Sequence, residues 1–170
     1  ATIYLPLVNC PTCRGGGVAA PTTTPIPTAT PGPNDPERAI ENEVIRLINI
    51  ERVAAGCPAA TPHPILMQAT RDWSAYMEAT SDYRHSQWGY YQSYGWPRGA
   101  LENLGGTGPD AAWVVEGWME SPLHRRNLLS CYKPGEPSYS PMIQYWIGVG
   151  IVGGYATMAL DDYTFPTPTP

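Results

Sequence analysis

The sequence predicts a mixed α+β fold, and three observations carry this prediction. Amphipathic patterns with helix-start signals cover residues 36–56 and 65–81. A third pattern runs from Asp110 to about Glu120, and Ser121-Pro122 then restarts a helix to about Ser130, because serine caps helices and proline suits the first turn. Two strand-like runs, 145–152 and 155–160, are joined by Gly153-Gly154, which predicts a β-hairpin.

Each helix has its own start signal or apolar face. In the first helix Pro36 occupies the first helical position, Glu37 complements the helix dipole and Gly56 ends the helix. Its apolar face comprises Ile40, Val44, Leu47 and Ile48. The second helix is expected to bury Leu66, Ala69, Trp73, Tyr76 and Met77. In the last helix Leu123, Leu128 and Leu129 are expected to face the core, so that Glu120 and His124 lie close together at a helix–helix corner.

The composition divides the chain into four segments. Residues 1–13 form an apolar strand with a CxxC motif, 14–35 a glycine-rich and then Pro/Thr-rich linker, 36–161 the globular domain and 162–170 a Pro/Thr tail. The strand-forming residues are Ile3, Tyr4, Leu5, Leu7 and Val8. Pro6 cannot donate a ladder hydrogen bond, so the strand pairs on one side only. The linker is expected to extend as polyproline II.

A strand on an extended linker has two interpretations. It folds back onto its own domain, or it adds to a neighbouring copy by strand donation and so builds an extracellular homo-polymer, such as a filament. A cell-envelope component is the other partner that we consider. The threonines of the arm and tail are candidate O-glycosylation sites.

Charge and cysteine usage narrow the class of protein. With a net charge of -5 and no basic run, the chain is not expected to bind nucleic acid. No stretch is long and apolar enough for a transmembrane segment. The four cysteines favour an oxidising compartment and two disulfides, one of three connectivities; we favour Cys57–Cys131 within the globular part and Cys10–Cys13 within the N-terminal segment. The given sequence begins at Ala1, without a Met or a basic stretch, and we interpret this as a mature secreted chain from which a signal peptide has been removed.

One loop is crowded with aromatic side chains. Residues 87–99 contain Trp88, Tyr90, Tyr91, Tyr94 and Trp96. Such rings either stack on a sugar or peptide ligand or pack over the loop's own backbone. His63 lies between two prolines and is expected at the surface.

Four motifs in order resemble the bacterial branch of the CAP superfamily, named for cysteine-rich secretory proteins, antigen 5 and pathogenesis-related 1 proteins. They are HS at 85–86, ENL at 102–104, WMESPLHRRNLL at 118–129 and IGVGIV at 147–152. The resemblance covers roughly residues 38–160. It implies an α-β-α sandwich with a small antiparallel sheet between helices, and a secreted protein.

The resemblance also implies a cleft with two histidines and two acidic residues. Carried over to this sequence, these are His85, Glu102, Glu120 and His124, with Glu116 as the alternative to Glu120. Leu123 stands where the family usually has glycine. Two neutral imidazoles with nearby carboxylates can bind zinc or another divalent ion, whereas the same set can also be a self-satisfied structural cluster.

Two functions are the main candidates at this point, and lipid or sterol carriage, which the resemblance also implies, is a weaker third. The first is a secreted binding or structural module, tethered or self-assembled through the N-terminal strand, with a glycan as one candidate ligand. The second is a metal-assisted extracellular hydrolase of peptide or glycan that uses the His/Glu cleft. We favour the non-enzymatic interpretation because Ser86, next to His85, has no nucleophile elbow or oxyanion loop around it.

Overall fold

The structure is a computed structural model, and it describes residues 36–108 and 110–164. The predicted strand at residues 3–8, the Cys10–Cys13 pairing and the Pro/Thr linker lie outside the described residues. The helices are α1 (Pro36–Ala54), α2 (Pro64–Thr80), α3 (Tyr90–Ser93), α4 (Ala111–Glu120) and α5 (Pro122–Leu128). The strands are β1 (Thr61–Pro62), β2 (Leu101–Gly106), β3 (Trp146–Val152) and β4 (Tyr155–Asp161).

The four strands form one sheet in the order β1-β3-β4-β2. The predicted hairpin is the antiparallel pair β3–β4, and β2 pairs antiparallel with the other side of β4. The two-residue β1 runs parallel to the start of β3. The connection from β2 through α4 and α5 to β3 therefore places the helical corner at the β2 side of the sheet.

The sheet lies between two helical layers. Ile147, Val149 and Ile151 of β3 point into a core cluster shared with α1, α4 and α5. The alternate residues Gly148 and Gly150 lie against the backbone of α2, where an added Cβ would come within 2.3 Å of Leu66 and 2.2 Å of Arg71. Because strand side chains alternate between faces, this pattern puts α2 on the second face, where Tyr91 of the short helix α3 joins the core cluster of Leu66 and Ala159. The predicted α-β-α sandwich is confirmed.

Side chains cover the outer edges of the sheet. On β3 the amide of Val149 contacts the Met67 sulfur at 3.3 Å and that of Ile151 donates to buried Glu41 at 3.0 Å. On β2 the carbonyls of Glu102 and Leu104 accept from Asn127 at 3.3 Å and Trp118 at 3.0 Å. The side-chain amide of Asn49 bonds both backbone groups of Ala60, just before β1. These contacts occupy groups that another strand would need.

The favoured Cys57–Cys131 disulfide is confirmed, with the two Cα atoms 5.7 Å apart. It lies beside Arg52, a fully buried cation at the end of α1. Arg52 donates to the carbonyls of Pro58, Leu128 and Ser130 and packs over the ring of Tyr145. The disulfide and Arg52 together fasten the end of α1 to the chain that leaves α5.

One sequence expectation about burial is wrong, and a second, for the partly buried His63, is incomplete. Leu123, expected to face the core, is 66% exposed, because α5 spans only seven residues and turns its first turn outward. His63, expected at the surface, is instead the N-cap of α2 and accepts from the Ile65 amide at 3.2 Å. Its ring packs edge-on against Trp96 and Trp146, with centroids 4.9 and 5.2 Å away. A loop position between prolines carries no sign of these ring contacts.

Candidate functional site

The segment after α2 brings His85 to the start of β2. Ser81 ends α2 in a left-handed conformation with φ of 54°, which turns the chain away from the helix axis. The indole of Trp73 then donates to the Arg84 carbonyl at 2.9 Å and holds the following residues against the domain. His85 emerges beside Glu102, as the resemblance implies.

Glu102 organises this side of the site through three donors. One carboxylate oxygen accepts from His85 Nδ1 at 2.7 Å and from the Ser86 amide at 2.9 Å. The other accepts from the Tyr91 hydroxyl at 2.6 Å. The Glu102 side chain is only 8% exposed, whereas that of His85 is 62% exposed. A carboxylate that holds Nδ1 fixes the orientation of the ring and leaves Nε2 for a ligand.

The helical corner supplies the second histidine. Fully buried Asn103 of β2 donates to the His124 carbonyl at 2.9 Å and accepts from the Asn127 side chain at 2.9 Å. These two hydrogen bonds hold α5 against β2. Burial, and next the charge of nearby His85, lower the pKa of His124 below its ordinary value. His124 therefore stays neutral near pH 7 and can accept a hydrogen bond or bind a metal.

The predicted acidic partners on α4 differ from Glu102 in their exposure and in their hydrogen bonding. Glu120 and the alternative Glu116 are both exposed, and neither forms a hydrogen bond with a described residue. Within residues 36–108 and 110–164, no three His, Cys, Asp or Glu side chains are grouped so that they could hold a metal ion. The imidazoles of His85 and His124 thus do not form a complete zinc donor set with described residues, and the assignment of Glu120 stays a prediction.

The surroundings of Ser86 do not make it a nucleophile. The Ser86 amide donates to Glu102, and its side chain forms no hydrogen bond with an imidazole of the described residues. Burial, followed by the charge of Glu102, raises the pKa of Tyr91 well above its ordinary value, so its hydroxyl stays protonated. A serine needs a general base within reach for activation, and Glu102 has each oxygen occupied by another donor.

A groove of about 310 Å³ extends from this cluster along the aromatic loop. Its lining includes His85 and Glu102, the loop of Trp88 and Gln92, and Leu101. Tyr90, Tyr91 and Trp96 pack inward, as one interpretation of the loop predicts. Trp88 behaves differently, because it is 96% exposed.

Two residues of the site are not identified from sequence as members of it. Tyr91 stands out only as one ring of an aromatic run, and its hydrogen bond to Glu102 depends on a contact across the groove. Gln92 has a buried side-chain oxygen without a hydrogen-bond partner among the described residues. The short helix α3, which carries both, is not predicted either; four residues are too few for a periodic pattern.

Comparison with known proteins agrees with this architecture. The model of the cysteine-rich secretory protein family, CAP, matches residues 45–132. The chain belongs to this family. No curated protein matches the sequence.

Among solved structures the chain is similar to three bacterial proteins. An extracellular protein containing an SCP domain from Bacillus anthracis has 21% identity and a TM-score of 0.59 over 76% of this chain and 44% of that one. A cysteine-rich secretory protein from Staphylococcus aureus has 17% identity and a TM-score of 0.58, over 77% and 41%. An outer surface protein from Borrelia burgdorferi has 13% identity and a TM-score of 0.57, over 72% and 92%.

These similarities concern the fold. The chain spans less than half the length of the B. anthracis and S. aureus proteins. None of the described helices is both long and apolar enough to cross a membrane.

Proposed function

We propose that this CAP domain acts outside the cell as a binding module, with the groove between His85, Glu102 and the 87–92 loop as its ligand site. The observation that carries the proposal is the pairing of His85 and Glu102. The pair presents the exposed His85 imidazole in a fixed orientation beside the groove. The buried Glu102 carboxylate accepts hydrogen bonds from His85, the Ser86 amide and Tyr91. Such a site can hold a polar ligand but offers no activated nucleophile.

The location rests on the disulfide and on the relatives. A Cys57–Cys131 bond persists in oxidising compartments, and the similar B. anthracis and B. burgdorferi proteins are described as extracellular and as an outer surface protein. A cell-envelope component is accordingly the partner we propose to test first.

A metal-assisted hydrolase is the weaker alternative. A divalent ion would have only His85 and His124 as described ligands, and no further described group is placed to complete its coordination. We derive no catalytic step through such an ion. Turnover of a peptide or glycan substrate that disappears in His124→Ala would favour this alternative.

Self-assembly through residues 3–8 is the finer part of the proposal. Side chains already bond backbone groups at the edges of the described sheet, which argues against those edges as acceptors of a donated strand. An N-terminal segment of another copy is the acceptor that this leaves, because the strand would then pair with residues outside the covered sheet.

Hydrogen exchange of the full chain with and without a purified envelope fraction tests the binding function. We expect protection of residues 85–92 and 101–102, which line the groove, and none of the exposed loop 133–139, which serves as internal control. His85→Ala should abolish the protection. Exchange that is unchanged at the groove, or protected only elsewhere, would contradict the proposal.

A further inference from the structure

His63 caps the N-terminus of α2 with a ring nitrogen that carries no proton. Its Nδ1 accepts from the backbone amide of Ile65 at 3.2 Å, and Pro64 between them occupies the first helical position. The amide of His63 donates to the Ile147 carbonyl at 3.0 Å, and its carbonyl accepts from the Met67 amide at 2.9 Å. His63 therefore joins the first turn of α2 to the start of β3.

The ring of His63 also contacts the end of the aromatic loop. It packs edge-on against Trp96 and Trp146, with centroids 4.9 and 5.2 Å away. Trp96 is buried, and its amide donates to the carbonyl of Tyr91 at 3.1 Å. Tyr91 lines the groove and donates to Glu102. His63 thus packs on a side chain whose backbone is bonded to the wall of the groove.

A protonated imidazole does not suit this position. A proton on Nδ1 would remove the acceptor and place one N–H opposite the N–H of Ile65. The positive charge would also lie at the N-terminus of a 17-residue helix, the end at which the helix dipole disfavours cations. Burial acts in the same direction and lowers the pKa of His63 below its ordinary value. Hydrogen bonding, the helix dipole and burial therefore all favour the neutral ring.

The charged groups near this end of α2 belong to the segments around it. The indole of Trp96 donates to Asp161 at the end of β4, and the guanidinium of Arg98 bonds both Asp161 and Asp162. Strand β1, the first turn of α2 and strand β3 contain no charged side chain. Tyr163 is a further titratable neighbour, with its ring 6.1 Å from that of Trp96. Arg98 offsets one of the two acidic charges, and His63 is the member of this group whose protonation directly removes a helix cap.

We propose that His63 is an acid-sensitive cap whose protonation releases the first turn of α2 and loosens the 87–99 loop beside the groove. The inference goes beyond the proposed binding function and holds whatever the groove binds. Because the folded chain disfavours the charged ring, the contribution of the cap to stability is present above pH 6.5. It is lost as the pH falls through the folded pKa of His63. The groove loop is therefore more open in mild acid than at neutral pH.

Amide hydrogen exchange of the full chain from about pH 5 to 7.5 tests the proposal, with rates converted to protection factors to remove the intrinsic pH dependence of exchange. We expect the protection of residues 65–67 to fall about fivefold once His63 is protonated, since an N-cap contributes roughly 1 kcal/mol. The protection of residues 87–92 should fall with the same midpoint. The imidazole resonances of His63 should titrate at that midpoint, below the ordinary value of 6.5.

Two matched variants assign the effect to His63. His63→Asn keeps a side-chain oxygen at the cap position at every pH of this range, so the pH dependence of both segments should disappear. His124→Asn makes the same change at the other histidine with a lowered pKa and should keep that dependence. The coincidence of the His63 titration with the loss of protection is measured in the parent chain, so it does not depend on how well either variant folds.

Three results would overturn the proposal. The first is the same pH dependence in the parent and in His63→Asn. The second is a His63 midpoint at or above 6.5, and the third is unchanged protection of residues 87–92 in the parent while His63 is protonated. Each of these results would leave the proposed binding function untouched, because that function is tested at constant pH.

Discussion

At the scale of single residues, the site depends on which acid is buried. Glu102 accepts three hydrogen bonds, from His85, the Ser86 amide and Tyr91, whereas Glu120 is exposed and accepts none from the described residues. The family resemblance implies both, Glu102 by a direct match to its motif and Glu120 with Glu116 as its alternative. Their environments give them different roles: Glu102 orients an imidazole and fastens the loop, and Glu120 is left for solvent.

Glu102→Gln should therefore destabilise the domain. A glutamine amide has one acceptor oxygen, so its nitrogen would turn a donor toward at least one of the three donors that Glu102 now satisfies. Leaving a buried donor without an acceptor costs about 1–3 kcal/mol of unfolding free energy. Urea unfolding measures the loss, and Glu120→Gln is the matched control, which should be within about 0.5 kcal/mol of the parent. Equal stability of the two variants would contradict the role of Glu102.

At the scale of elements, the sequence predicts the bounds of helices and strands, which follow from periodic patterns, but not the side-chain positions that depend on tertiary contacts. The bounds of α1, α2, α4 and the β3–β4 hairpin follow from caps and periodicity, and the structure confirms them within one or two residues. The last helix, α5, ends two residues before its predicted position. The positions of Leu123 and His63 do not follow. Leu123 depends on how a seven-residue helix is rotated, and His63 on the meeting of two tryptophans from distant segments.

The link between β2 and α5 is such a contact-dependent feature. Asn103 bonds the His124 carbonyl and the Asn127 side chain, which no periodic pattern could indicate. The two motifs ENL and SPLH are thereby tied together, and His85 and His124 come close enough for their charges to interact.

Asn103→Ala should loosen this link. The two hydrogen bonds of the Asn103 side chain, to the His124 carbonyl and from the Asn127 side chain, are lost, so the unfolding free energy should fall by about 1–3 kcal/mol. The pKa of His124 is lowered by burial and by His85, so it should rise toward the ordinary value of 6.5 as α5 moves away. Histidine proton resonances followed from about pH 5 to 8 measure this.

The sign of the pH effect follows from the lowered pKa. His124 takes up a proton more readily in the unfolded chain, so its contribution to stability is present above pH 6.5 and is lost as the pH falls through its folded pKa. Asn103→Ala should flatten this part of the stability profile. Thr107→Ala, which removes a hydrogen bond to the Gly153 carbonyl at the far end of the sheet, should leave the His124 titration unchanged.

At the scale of the whole molecule, the described domain is closed on its own. Both faces of the sheet are covered by helices, its edge groups are bonded to Asn127, Trp118, Met67 and Glu41, and the disulfide fastens α1 to the segment after α5. These contacts occupy part of the backbone groups that a further strand on the described sheet would need. The covered groups disfavour pairing of residues 1–13 with this sheet in the same chain and with the same sheet of another copy alike.

Deleting residues 1–13 should change the unfolding free energy of the domain by less than about 0.5 kcal/mol, because side chains already occupy backbone groups of β2 and β3 that the strand would pair with. If the segment links copies, the same deletion should convert assembled material to monomers, which sedimentation velocity resolves. The matched control replaces Leu5 and Leu7 with lysine in the full chain, which keeps the length of the segment and removes its apolar character. A loss of stability well above about 1 kcal/mol on deletion would show that the strand packs on its own domain, and unchanged assembly in both variants would remove it from the assembly contact.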